Sequence, residues 1–306
     1  MKSDRELLGE LVKGMRGAYK AGENAMAYAR DHLGPSAGKE NTTAATLIAY
    51  DLQAGTYVAR AKNDPSFNRD WCGQIAEILL PLTIPRCSVL EVGSGEATTL
   101  AGVVRGLENC QPSGYGFDVS WSRIKVANEW LAMNSVHSKL FVADLFKIPM
   151  ASNSVDLVYS SHSLEPNGGR EQEAIAELVR VARRFVVLIE PAYELANEAA
   201  RLRMDHHGYV KGLRAAAEAC GVDVLQHRLL PVTPNPMNPS GVLVLKKREE
   251  ATVAGNGLWT CPVTGAPLTE MPDAFWSEEV GLAYPILRGI PLLRPEHAIV
   301  ASLLGK

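Results

Sequence analysis

The sequence predicts an α/β fold: a mostly parallel sheet of seven strands covered by helices, with a helical cap before it and a small α+β domain after it. Three observations predict it. Short apolar runs alternate with helical periodicity between residues 88 and 247. A tight glycine turn joins the first of these strands to the next helix. Two polar stretches, 34–41 and 248–257, set off the chain on either side.

Taken in order, residues 5–33 read as one helix, because Leu7, Leu8, Leu11, Val12 and Met15 keep helical spacing. Residues 34–41 are a Gly/Pro/Ser linker, and 43–62 and 70–80 read as two more helices. The cap therefore spans 1–80 and the core 81–248. Within the core, strand 88–92 precedes helix 96–107, and strand 114–118 precedes helix 121–134. Strand 139–143 leads through a loop to strand 155–160 and helix 169–183. Strand 185–190 precedes helices 192–204 and 208–220. The core ends on strands 223–230 and 241–247, a hairpin that makes the last strand antiparallel. The charge run 246–250 reads as a solvated strand exit, and 257–306 form a separate module. There is no internal repeat.

Composition bounds the function. A net charge of −3 gives no global basic field for nucleic acid or anionic lipid. The charged start lacks the apolar core of a signal peptide, and no apolar run approaches a membrane span of about 20 residues. The 5 cysteines are scattered with no Cys-x-x-Cys pair, which points to a reducing cytoplasm and away from a disulfide framework or a cysteine-rich metal site.

Residues 88–100 (SVLEVGSGEATTL) carry the most chemistry. An apolar run holds an acid at Glu91, then turns through Gly93 and Gly95 into a helix. This is the nucleotide-binding corner of a Rossmann-like sheet. Thr98 stands where a dinucleotide fingerprint has its third glycine. An acid at that strand end repels a pyrophosphate and attracts a cationic amino group. S-adenosylmethionine carries such a group, so the turn favours it over NAD; a plain strand-turn-helix corner with no ligand stays open.

Four segments in register then resemble the class I S-adenosylmethionine-dependent methyltransferases, over about residues 85–248. Residues 90–95 (LEVGSG) look like the first motif, which implies that Glu91, Gly93, Ser94 and Gly95 hold the methionine part of the cofactor. Residues 116–120 (GFDVS) look like the second, which places Asp118 on the ribose hydroxyls with Val119 beside it. Residues 143–145 (ADL) look like the third, with Asp144 on the adenine amino group and Leu145 packed on the ring. Residues 155–165 (VDLVYSSHSLE) resemble the fourth strand and its loop, which includes Ser160. Ala97 departs from the glycine common in the family. Residues 50–57 (YDLQAGTY) look like the aromatic cap of small-molecule members, where Tyr50 or Tyr57 closes over the cofactor; packing of a helix pair is the alternative.

The C-terminal module gives a second resemblance. Residues 261–268 (CPVTGAPL) and 282–293 (LAYPILRGIPLL) look like the two ends of the zinc-ribbon-like family that includes the activator subunit of tRNA and protein methyltransferases. Only Cys261 remains of the first knuckle, with Thr264 in the partner position, and one thiolate cannot make a tetrahedral zinc site. The expectation is a metal-free version packed on the core.

In open α/β sheets the ligand lies outside the carboxyl ends of the strands. That places the acceptor among residues 160–167, 190–193 and 231–240. Methyl transfer to a hydroxyl needs a base, and histidine suits that near neutral pH. His162 is the first candidate, with a cofactor contact or a loop brace as the alternatives. Glu165 binds a polar acceptor or caps the next helix. Glu190 and Tyr193 are candidates for hydrogen bonds to the acceptor. Adjacent His206 and His207 diverge by about 100° on a helix, a poor chelating pair. No metal is expected. Residues 235–239 (NPMNP) read as a rigid loop whose asparagines can contact a polar acceptor or simply make turns.

The function expected is a cytoplasmic methyltransferase of a small polar metabolite, a sugar or specialised metabolite, at oxygen or nitrogen. The partner is a small-molecule acceptor rather than nucleic acid or membrane, and a homodimer bridged by the module stays open. The rivals are a methyltransferase of tRNA or a translation protein, and a non-catalytic S-adenosylmethionine-binding regulator.

Overall fold

The structure, a computed structural model, describes residues 4–33, 43–248 and 257–305. The first linker expected, 34–41, lies outside the described residues, as do 249–256 of the second.

Among the described residues the cap contains five α-helices: α1 (Asp4–Lys20), α2 (Ala25–Leu33), α3 (Thr43–Leu52), α4 (Thr56–Asn63) and α5 (Pro65–Leu79). Two single helices expected from periodicity are each broken by a glycine. Gly22 takes φ +77°, after which the Asn24 carboxamide accepts the N–H groups of Met26 and Ala27 and starts α2. Gly55 takes φ +102° between α3 and α4. Asp64 caps α5 through the N–H of Phe67, with Pro65 in the first turn.

The core alternates as expected: β1 (Ser88–Val92), α6 (Thr98–Gly106), β2 (Ser113–Asp118), α7 (Trp121–Met133), β3 (Ser138–Val142), β4 (Val155–Ser161), α8 (Glu171–Val181), β5 (Ala182–Pro191), α9 (Glu198–His207), α10 (Leu213–Ala219), β6 (Asp223–Leu229) and β7 (Ser240–Lys246). These strands form one sheet in the order β3-β2-β1-β4-β5-β7-β6. The β1–β5 pairs are parallel, and β7 lies antiparallel between β5 and β6. Residues two apart in a strand share a face. Val89, Leu157 and Val187 pack with Trp71, Ile75 and Val103 on one side. Leu90, Val158 and Leu188 pack with Ile175 and Leu178 on the other. Burial on both faces explains why these strands read as continuous apolar runs.

The order reverses between β1 and β4, the point at which open α/β sheets bind ligands outside the carboxyl ends of their strands. The C-terminal module contributes β8 (Thr269–Glu270), β9 (Ala274–Ser277), β10 (Leu282–Leu287), β11 (Ile290–Pro291) and β12 (Ile299–Val300). It covers the sheet edge at β3. Leu292 pairs with Val142, and the Leu293 N–H donates to the Val142 carbonyl at 2.8 Å. Trp259 meets Phe141 and Phe275 edge-on, with ring centroids 5.1 and 5.2 Å away. Cys261 is buried, with its sulfur 3.2 Å from the Tyr284 hydroxyl. Among the described residues no group of three or more His, Cys, Asp or Glu is placed to hold a metal ion, and no helix is long and apolar enough to cross a membrane.

Candidate active site

The glycine turn leaves β1 with Gly93 at φ +61° and Gly95 at φ +54°, followed by Ala97 at φ +55°. Glycine is required at Gly93 for space as well: a Cβ there would sit 2.4 Å from the Cβ of Ser163, in the loop after β4. The turn is tied to β2, because the Ser94 N–H donates to the Phe117 carbonyl at 2.7 Å and the Gly95 N–H to Asp118 at 3.2 Å. Asp118 also accepts the Ser120 N–H at 2.9 Å. Burial holds the Asp118 carboxyl above its usual range, against the pull of Arg123. Asp144 accepts the Phe146 N–H at 2.9 Å, and Leu145 is buried beside it. Val119, next to Asp118, is half-buried.

Glu91 is not a carboxylate facing the solvent. It is 2% exposed, and burial pushes its pKa up to about 8. A group with that pKa is mostly protonated at neutral pH. The attraction of a fixed negative charge for an amino group, expected from sequence, is therefore weakened. Near the turn, the hydroxyls of Ser94 and Ser163 are buried without a protein partner. Unpaired buried hydroxyls at a glycine turn suit a polar ligand, so these residues fit a cofactor held at this turn.

The cap closes on the turn from the other side. Glu96, fully buried, accepts the N–H groups of Gly55 and Val58 at 2.9 and 2.7 Å. It thereby caps α4 from a distant point in the chain. Arg123, at the start of α7, lies between two aromatic rings, 4.7 Å from Tyr50 and 4.5 Å from Tyr57. Its Nε donates to the Tyr50 carbonyl at 3.2 Å. A Cβ on Gly95 would lie 3.2 Å from the Tyr57 ring. Both tyrosines thus converge beside Asp118 at the glycine turn. Sequence reading missed Arg123 and Glu96; the signal for Glu96 was an acid directly inside a glycine turn.

Directly after β4, His162 takes φ +54°. Backbone in this region costs a non-glycine residue on the order of 1–3 kcal/mol and persists where surrounding contacts fix it. Here the His162 N–H donates to the Ile189 carbonyl at 2.9 Å. Its Nδ1 lies 2.6 Å from Glu165 Oε2 and its Nε2 lies 2.7 Å from Ser240 Oγ. Ser240 is fully buried at the start of β7, 3.1 Å from the Thr233 hydroxyl. Asn238 is buried, donates weakly to Glu165 at 3.4 Å, and leaves its Oδ1 without a partner. Of this group, sequence reading named His162, Glu165 and the 231–240 loop, and missed Ser240 and Thr233 individually.

Two residues expected at the acceptor are also engaged by the protein's own groups. Glu190 is 2% exposed and accepts the N–H groups of Ser163, Leu164 and Glu165, each at 3.1 Å. It braces the loop that carries His162. Burial pushes Glu190 up to about 7, against the pull of His162 and the Leu164 N–H. Ser160, also fully buried, stands beside it. Tyr193 is engaged with α9: its hydroxyl donates to Asp205 at 3.0 Å, and the Arg201 guanidinium lies 5.9 Å from its ring. His206 and His207 are exposed, with ring planes 76° apart, and His207 stacks on Tyr209.

Comparison with known proteins supplies the class. A family model described as a methyltransferase domain matches residues 89–184. That segment is a methyltransferase domain. It holds β1 to β5, including the glycine turn, Asp118, Asp144 and His162. No curated protein matches the chain. Among solved structures, the chain is similar to magnesium protoporphyrin IX methyltransferase (ChlM) from Synechocystis PCC 6803 with bound SAH, with TM-score 0.52 and 14% identity, over 66% of this chain and 99% of that one. It is similar also to a chain in the complex between the Haloferax volcanii Trm112 methyltransferase activator and a methyltransferase, with TM-score 0.50 and 15% identity, over 64% of this chain and 96% of that one. At such identities the likeness is one of fold. The matched segment thus carries a methyltransferase domain, and the fold around it is that of S-adenosylmethionine-dependent methyltransferases, whose cofactor is S-adenosylmethionine.

Proposed function

We propose that the chain methylates a small polar metabolite, a sugar or specialised metabolite, at a hydroxyl or amino group. The observation that carries this is the polar cluster at the acceptor end: half-buried His162 and Glu165 with buried Ser240 and Asn238, the Asn238 Oδ1 unpaired. Unpaired buried polar atoms select an acceptor that supplies the missing hydrogen bonds. In this reading, Gly93, Ser94, Gly95 and Glu91 hold the methionine part of the cofactor. Asp118 and Val119 hold the ribose, Asp144 and Leu145 the adenine, and Ser160 borders the crevice. Tyr50 and Tyr57 close the cap. S-adenosylmethionine supplies a methyl group activated by its sulfonium charge. The protein aligns the acceptor and takes its proton; His162, oriented by Glu165, is the proton-accepting group. Residues 1–80, 81–248 and 257–306 are then cap, catalytic core and accessory module.

A second reading, methylation of tRNA or a translation protein, is favoured by the module alone. It adds to the β3 edge, and it resembles a metal-free member of the activator family. Labelled methyl transfer separates the two. The protein is incubated with methyl-labelled S-adenosylmethionine and with the small-molecule, RNA and protein fractions of a cell extract. Label in the small-molecule fraction, lost in Asp118→Asn with the fold retained, is the expected result. Label in RNA or protein would establish the second reading. Binding of S-adenosylmethionine with no transfer to any fraction would make the chain a regulator.

A further inference from the structure

Both ring nitrogens of His162 are occupied, which bears on how a proton reaches it. A carboxylate only accepts, so Glu165 at 2.6 Å fixes the hydrogen of the neutral ring on Nδ1. The lone pair then sits on Nε2 and accepts from the Ser240 hydroxyl at 2.7 Å. Ser240 is fully buried and is out of reach of an acceptor. Its oxygen lies 3.1 Å from Thr233 Oγ1, and Thr233 is half-buried. Within its own loop Thr233 Oγ1 accepts the Ser240 N–H at 3.2 Å and lies 3.4 Å from the Asn235 and Asn238 carbonyls, and the cap holds the loop itself. The side chain of Gln74 bonds both the carbonyl and the N–H of Val232, at 2.8 and 3.2 Å, and Arg60 donates to the Pro234 carbonyl. The chain Thr233–Ser240–His162–Glu165 therefore runs from a half-buried hydroxyl, through a fully buried one, to a half-buried imidazole–carboxylate pair.

We propose that Thr233 and Ser240 conduct the proton of a hydroxyl acceptor to His162. The inference rests on the methyltransferase reading above. As the acceptor oxygen forms its bond to the methyl carbon and the carbon–sulfur bond breaks, the acceptor's proton passes to Thr233 Oγ1. The proton of Thr233 passes to Ser240, and that of Ser240 to His162 Nε2. Each hydroxyl ends neutral, and the imidazolium formed is paired with Glu165. Thr233 is in this scheme a catalytic residue and Ser240 acts through His162.

Two measurements test it. The first needs no acceptor: 15N spectra of the full chain labelled at its 7 histidines, with His162 assigned by its loss in His162→Gln. The protein should show Nδ1 protonated and Nε2 as a hydrogen-bonded acceptor. Ser240→Ala should move Nε2 toward the free-acceptor position, and an unmoved Nε2 overturns the relay. The second is initial transfer from labelled S-adenosylmethionine to the small-molecule fraction, beside S-adenosylhomocysteine affinity. Ser240→Ala and Thr233→Val should each slow transfer by about 100-fold, at the lower end for general base catalysis, with affinity unchanged. Thr233→Ser should keep most of the rate. Wild-type rates in both deletions, or a Thr233→Ser variant as slow as Thr233→Val, overturn the relay. If the protein itself labels no metabolite, the reading of function fails, and the 15N spectra decide the hydrogen-bond chain independently.

Discussion

At the scale of single residues, the glycine turn and the acid before it behave differently. Gly93 was legible because a strand followed by Gly-x-Gly has few physical explanations. Gly93→Ala places a methyl group where φ is +61° and Ser163 is 2.4 Å away. It should cost about 1–3 kcal/mol in stability and at least about tenfold in S-adenosylhomocysteine affinity, because the backbone can no longer approach a ligand closely. Thermal unfolding and calorimetric titration check both. Glu91 was legible as the acid of the strand before the turn and illegible in its burial, since depth beneath a turn has no sequence signature. Its folded pKa of about 8 lies above the unfolded value of 4.5, so the folded state keeps a proton that the unfolded chain releases. Stability therefore falls as pH rises from about 5 to 8, with Glu190 at about 7 adding to the lower part of that window. Glu91→Gln should flatten this slope, measured as the midpoint temperature at several pH values across the window. An unchanged slope would show that Glu91 is ionised throughout.

At the scale of elements, the positions of strands and core helices followed from apolar runs because both faces of the sheet are covered. The helix breaks at Gly22 and Gly55 escaped the same reasoning, since periodicity continues across a single glycine. The partners of Glu190 and Tyr193 also escaped it. Both lie at or just after the carboxyl end of β5, but Glu190 bonds the backbone of the loop after β4 and Tyr193 bonds α9, and side-chain direction at a strand end is set by tertiary contacts. The union of cap and core has the same origin. Glu96 meets α4 across 41 residues, while Gly55 and Val58 have no nearer side-chain cap. Glu96→Ala leaves two N–H groups of the first turn unpaired, at about 1–3 kcal/mol for the local contact. The amides of α4 should exchange faster with deuterium by about tenfold or more, while those of β4 and β5 stay protected. Uniform loss of protection would instead show that cap and core unfold as one unit.

At the scale of the whole molecule, the module forms its own sheet and covers the edge of the core sheet at β3. A parallel sheet leaves an unpaired edge wherever its last strand meets solvent, and such edges invite association. Here Val142 of β3 is paired by Leu292 and Leu293, and the apolar face beside it is filled by Trp259. Lys139 and Glu270 add a half-exposed ion pair across the same junction, worth little by itself. The burial of Trp259, 7% exposed and edge-on to Phe141 and Phe275, carries the junction. Cys261 is buried within the module, and despite the opposing effect of burial, hydrogen bonds from Thr264 and Tyr284 hold its thiol below its usual pKa. Docking thus rests on side-chain packing. Trp259→Ala should cost about 3–5 kcal/mol and should not be compensated by added zinc, as followed by denaturant unfolding with and without the metal. It should also raise hydrogen exchange along β3 before β1, because the edge strand loses its cover first. Equal exchange in β3 and β1, with stability retained, would show that the module only rests on the core and that the sheet edge is protected by something else.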